Sequence, residues 1–168
     1  MTLVCDLYFF CYNTSGDIMT IYDKLCDYLS KEQIHYKQLN DHTLCFDFTI
    51  EGKFTHLTSF LFVNEDSYMV QTSLPMPLKE AGFPLVIDFF TRLNVTMEYG
   101  YFSLNKSNGL MSHIVKVDCA DSFPSDAVIN ESIMTGIRLF GAYVVASALY
   151  YLLSGMLTPA QAMDFVAR

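Results

Sequence analysis

Residues 139–157, LFGAYVVASALYYLLSGML, carry no charge, and uncharged sequence continues to Met163. A membrane-spanning helix needs about 20 largely apolar residues to cross roughly 30 Å of hydrocarbon, so length alone permits a span here. The composition argues against it. Gly141, Ala142, Ala146, Ser147, Ala148, Ser154 and Gly155 are small, Tyr143 brings a hydroxyl that needs a partner, and Gly155, Thr158 and Pro159 break the run. Arg138 is the nearest cation, so the basic flank that orients a spanning helix is missing. The stretch therefore reads as a helix buried on nearly all sides, which requires a sheet with flanking helices or a partner chain.

Upstream, Asp121 to Ser125 supplies capping side chains and Pro124, which open one long helix running through this stretch. Asn130, Glu131, Thr135 and Arg138 give its first half a polar side. Ile133, Ile137, Phe140, Val144, Val145, Ala148 and Leu152 line up to cover a sheet. The remaining side keeps Leu139, Tyr143, Tyr150 and Leu153, an apolar stripe that a solvated surface does not favour. With small Ala142 and Ala146 between them, these four residues are the expected protein interface of a homodimer. Downstream, Thr158 as cap and Pro159 at the first helical position start a short last helix to Arg168.

Further from the stretch the period changes from 3.6 to 2. Leu44, Phe46, Phe48 and Ile50 share one face against Cys45, Asp47 and Thr49, and the turn Glu51-Gly52-Lys53 leads into Phe54–Val63. Asn64 to Ser67 turns into Tyr68–Leu74, and Ile34–Leu39 adds a short strand before the first. Pro75, Pro77 and Pro84 end this meander, and Pro84 starts a helix to about Asn94 with Leu85, Val86, Phe89, Phe90 and Leu93 on its face. Tyr99–Leu104 and Leu110–Val117 then form a hairpin around Asn105–Gly109. A first helix starts in the Asn13–Asp17 cluster, with Ile18, Ile21, Tyr22, Leu25, Tyr28 and Leu29 at helical spacing. Residues 1–12 are unassigned. The expected architecture is one α+β domain over residues 1–168: two layers, an antiparallel sheet built of a meander plus a hairpin, packed against helices.

The 168 residues carry a net charge of −8, and their ten Lys and Arg are scattered singly, which excludes a nucleic-acid groove. Cys5, Cys11, Cys26, Cys45 and Cys119 are odd in number and never in CxxC spacing, as expected of reduced thiols. The N-terminus lacks a basic n-region and has Asp6 in its apolar stretch, so a cytoplasmic location is expected. His35, His42, His56 and His113 lie in four different elements, without metal-ligand spacing, and read as solvent-facing or edge residues. For a thiol nucleophile the candidates are Cys45 or Cys119 with His113; the Cys119 pair fails on distance, since residues six apart on a strand are roughly 20 Å apart, and both thiols read as small apolar fillers. No phosphate loop, nucleophile elbow or paired acid stands out, so no catalytic residue, metal or cofactor is expected. Tyr99, Tyr101, Tyr143, Tyr150 and Tyr151 are candidates for a cleft that accepts a peptide.

Over Phe89–Gly109, FFTRLNVTMEYGYFSLNKSNG, a helix ending in Arg-Leu-Asn leads into Tyr-Gly-Tyr-Phe-Ser-Leu-Asn and a hairpin Gly. This layout resembles the YbjN-type domain family, bacterial proteins described as candidate sensory transduction regulators with the fold of type III secretion chaperones. The likeness extends more loosely from Ile18 to Tyr151. It departs from the family in residues 1–12 and in the apolar Leu139–Leu153. The resemblance implies a non-enzymatic protein-binding module, chaperone-like or regulatory, acting as a homodimer or on a polypeptide client. The alternatives are a membrane-associated protein using the apolar helix 139–157 and an enzyme of unrecognised type.

Overall fold

In a computed structural model, the structure describes residues 19–51, 53–141 and 143–167, and of Tyr143 the backbone alone. The expected helix start at Asn13–Asp17, Ile18 and residues 1–12 lie outside the described residues. The elements follow in the order α1 (Ile21–Lys31), β1 (Lys37–Asn40), β2 (Thr43–Thr49), β3 (His56–Val63), β4 (Ser67–Ser73), a 3-10 turn (Glu80–Gly82), α2 (Phe83–Val95), β5 (Tyr101–Asn105), β6 (Leu110–Asp118), α3 (Asp126–Gly141), α4 (Tyr143–Leu153) and α5 (Pro159–Val166).

The six strands make one sheet in the order β1-β2-β3-β4-β6-β5, every pair antiparallel. The meander β1–β4 and the hairpin β5–β6 join because β4 pairs with β6, Tyr68 opposite Val117 and Thr72 opposite His113. Strand alternation gives the sheet an inner face of Leu44, Phe46, Leu57, Leu61, Tyr68, Val70, Phe102, Met111 and Val115, all buried. Helices cover this face. Phe90 of α2 and Phe140 of α3 both meet Phe102, with ring centroids 5.1 and 5.4 Å apart. Beside α3, α1 is tied on by Asp126, which accepts from Lys24 at 2.7 Å and Lys31 at 2.6 Å, and by Tyr28, which donates to Asn130 at 3.0 Å. Capping boxes start α1 at Thr20 with Asp23 and α5 at Thr158 with Gln161, the latter followed by Pro159 as the sequence predicts.

The long helix expected through Leu139–Leu157 is two helices. They are bent by 51° between Gly141 and Val144, and the second ends at Leu153. Gly141 contributes no side-chain contact to continue the first helix and costs about 1 kcal/mol relative to alanine in a helix interior. Bending carries α4 over the core: Val145, Ala146, Ala148, Leu149 and Leu152 are all buried. The apolar run is therefore explained by two short helices folded onto one core. Among the described residues, no single helix is long and apolar enough to cross a membrane, although the bent pair passes by length and composition.

Three finer expectations also change. Thr135 is buried rather than wet, its hydroxyl donating to the Glu131 carbonyl at 2.7 Å. Val144, expected on the sheet side, is 39% exposed, because the bend rotates α4 relative to α3. His113 is neither solvent-facing nor at an edge: it is 1% exposed, in the middle of the inner face.

Candidate binding surface

One row of cross-strand neighbours runs Phe46–Ser59–Thr72–His113–Phe102 across the inner face. Ser59 and Thr72 share a hydrogen bond of 3.0 Å, and α3 crosses above them at Gly136, where an added Cβ would lie 2.7 Å from Thr72 and 3.3 Å from His113 Nδ1. Gly100, at φ +74°, closes the other side of the imidazole: an added Cβ would stand 2.6 Å from His113 Cε1. Burial pushes His113 down to about 4, against a smaller opposing pull from the Tyr99 backbone, and Nε2 makes no well-formed hydrogen bond. This neutral, enclosed imidazole seats a helix. Its ring is closed off from solvent.

The outward face of the same strands differs. Its central row is Lys37–Cys45–Phe60–Gln71–Ile114–Tyr101. On one side lies a hydroxyl row, Asp47–Thr58–Ser73–Ser112–Ser103, with Thr58 donating to Asp47 at 2.7 Å and Ser73 and Ser112 2.8 Å apart. On the other lie Thr43, Phe62, Met69 and Lys116. Phe60 and Phe62 stack at 6.1 Å, and these two with Met69 and Ile114 are half-buried and stand outside the core that the helices cover. Tyr101 is 48% exposed at the end of the band. An aromatic and aliphatic band that no described helix covers is a surface suited to association.

The sheet edges are less inviting. Asn94, the last residue of the Arg-Leu-Asn signature, accepts from the Phe102 N–H at 2.7 Å and donates to the Phe102 carbonyl at 2.9 Å, occupying the outer rim of β5 as an extra strand residue would. At the other edge β1 is four residues long, irregular between Gln38 and Asn40, and carries Lys37. Both are features that discourage strand addition.

Of the four residues expected at a helical interface, the three whose side chains are described differ in exposure. Leu139 near the end of α3 and Leu153 at the end of α4 are half-buried and pack against the core. Tyr143 opens α4. Tyr150 is 43% exposed, its ring 5.7 Å from that of Tyr151 and 4.8 Å below the Lys53 ammonium. Nor do the tyrosines form one cleft, since Tyr101 belongs to the outward sheet face and Tyr99 lines a shallow hollow with Lys116 and Glu131. Cys119 is buried and Cys45 half-buried; both thiols are pushed up by burial and by neighbouring carboxylates, which leaves them protonated and poorly nucleophilic. Among the described residues, no cluster of His, Cys, Asp or Glu could hold a metal ion. Sequence reading missed the outward band, although Leu57–Val63, with Phe60 and Phe62 on either side of Leu61, signals it: a strand apolar on both sides asks for cover on both.

No family model matches the chain. No curated protein matches it either. Among solved structures, the crystal structure of YbjN from E. coli, described as a candidate transcription regulator, aligns over 77% of this chain and 92% of its own, with a TM-score of 0.55 and 7% identity. The chain is similar to YbjN in fold. At that identity the YbjN likeness speaks for the arrangement of sheet and helices, as the sequence over Phe89–Gly109 led one to expect, and leaves side-chain roles to be argued from this chain.

Proposed function

We propose that the protein is a non-enzymatic, cytoplasmic binding module, chaperone-like or regulatory, that recognises another polypeptide. The observation that supports this reading is the outward sheet face, where Phe60, Phe62, Met69 and Ile114 form an aromatic–aliphatic band beside a row of hydroxyls. Such a face offers apolar burial at its centre and exposed polar groups, Lys37, Asp47 and Lys116, at its margin, the composition of protein interfaces. The polar groups are consistent with this role: the one deeply buried imidazole serves packing, and the two thiols are held protonated.

The test is co-purification from native extract with wild type and Phe60→Asp in parallel. A polypeptide recovered in stoichiometric amount with wild type and lost with the variant is the expected result. Recovery of the same polypeptide by both would remove the sheet face from the function, and recovery of none by either would sink the binding-module reading.

A further inference from the structure

An aromatic corner closes the end of α4. Tyr150 and Tyr151, in its last turn, meet at 72° with ring centroids 5.7 Å apart, and Phe165 of α5 meets Tyr151 at 76° and 6.0 Å. A cation already sits in it: the Lys53 ammonium stands 4.8 Å from the Tyr150 centroid and 5.6 Å from that of Tyr151. Lys53 comes from the turn between β2 and β3, which the Ile50 N–H closes by donating to the Thr55 carbonyl at 3.0 Å. Among the described residues this ammonium forms no ion pair, so the negative faces of the rings are what attract it. Tyr150, 43% exposed, and Lys53 are both open to solvent. An exposed ammonium gains little over water from two rings, and its flexible stem can swing aside, so an arriving cation can take its place.

We propose that this corner binds an alkylammonium side chain, that of a methylated lysine in a polypeptide partner, with Lys53 as its built-in placeholder. Ring faces replace poorly the water that the three N–H donors of a bare ammonium give up. A trimethylated nitrogen keeps its charge, has no donor to satisfy and packs its methyl groups on the rings. The net charge of −8 draws a cationic segment towards the chain, and the exposed Asp164 stands next to Phe165 in the sequence. The inference goes beyond the outward sheet face: it places a second contact on α4 and α5, and it stands or falls independently of the first.

The ring resonances of Tyr150 and Tyr151, followed by NMR of the full chain, test it. The probes are a short blocked peptide whose central lysine is trimethylated, unmodified or acetylated, and free choline. The trimethyl-lysine peptide is expected to shift both rings and to bind most tightly, the unmodified peptide more weakly, and the neutral acetylated peptide not measurably. Lys53→Ala is expected to bind the trimethyl-lysine peptide about threefold or more tightly, because a tethered competitor is gone. Tyr150→Leu, which keeps an apolar side chain and an unchanged circular dichroism spectrum, is expected to bind it about threefold or more weakly. No ring shift with the trimethyl-lysine peptide, equal binding of its acetylated form, no gain in Lys53→Ala or no loss in Tyr150→Leu would each overturn the proposal. Choline binding as tightly as the peptide would assign the corner to a free small cation and overturn the polypeptide partner. Co-purification with wild type and Phe60→Asp is read separately, so a failure here leaves the binding-module reading standing.

Discussion

His113 shows how much one residue's surroundings decide. It sits between Gly136 of α3 and the Gly100 backbone, beside Thr72 and edge-on to Phe102 at 5.2 Å, with no charged side chain among these neighbours. Burial moves its pKa from 6.5 to about 4, so the unfolded chain takes up this proton before the folded one. Its neutral form favours folding at pH 7, and that advantage is lost as pH falls from about 6.5 towards 4. Between pH 7 and pH 5 the loss amounts to roughly 2 kcal/mol. Urea unfolding of wild type at the two pH values should show that difference, and His113→Gln should show a flatter one. Equal slopes for both proteins would mean that the proton is taken up elsewhere. The three remaining histidines, His35, His42 and His56, are exposed, as their scattered polar settings predict.

At the scale of elements, the junction of α2 with β5 is the most informative. Asn94 ends the helix and its amide pairs with both backbone groups of Phe102, which fixes where the strand starts and covers its rim. Replacement by alanine leaves a partly buried N–H and carbonyl without those partners, at a cost of about 1 to 3 kcal/mol. Asn94→Ala is therefore expected to lower stability by that amount and to speed hydrogen exchange at the Phe102 amide, while Asn94→Asp keeps the N–H bond but sets a carboxylate against the carbonyl. Unchanged exchange at Phe102 in the alanine variant would show that the rim is protected by something else. Much of this junction was legible in the sequence, because Arg-Leu-Asn before Tyr-Gly-Tyr marks a helix end and a strand start. The α3–α4 bend was not, since α4 packs against α2, a segment far from it in the sequence.

For the whole molecule, the apolar stretch that suggests a membrane is spent on the interior. Val145, Ala146, Ala148, Leu149 and Leu152 are buried in the same core as α1 and the sheet, and α3 and α4 diverge by 51°. A spanning helix would have to straighten the bend and give up that burial, at roughly 25 cal/mol for each Å² of apolar surface returned to solvent or lipid headgroups. Flotation with neutral phosphatidylcholine vesicles is expected to leave the chain in the dense fraction. Co-flotation that resists alkaline carbonate would show that the bent pair opens into the bilayer.

The sequence by itself determined the alternation of elements, the meander and hairpin, the helix start at Thr158 and Pro159, and which residues share a strand face, because each depends on local periodicity or on backbone chemistry that a residue carries with it. Only the tertiary structure decided that β4 joins β6, that the apolar stretch divides into α3 and α4, that His113 is enclosed, and that Phe60, Phe62, Met69 and Ile114 share a face turned away from the described helices. These depend on which distant segments meet. A period of 2 says that a strand has two faces, but which of them the helices cover is set by packing across the whole sheet.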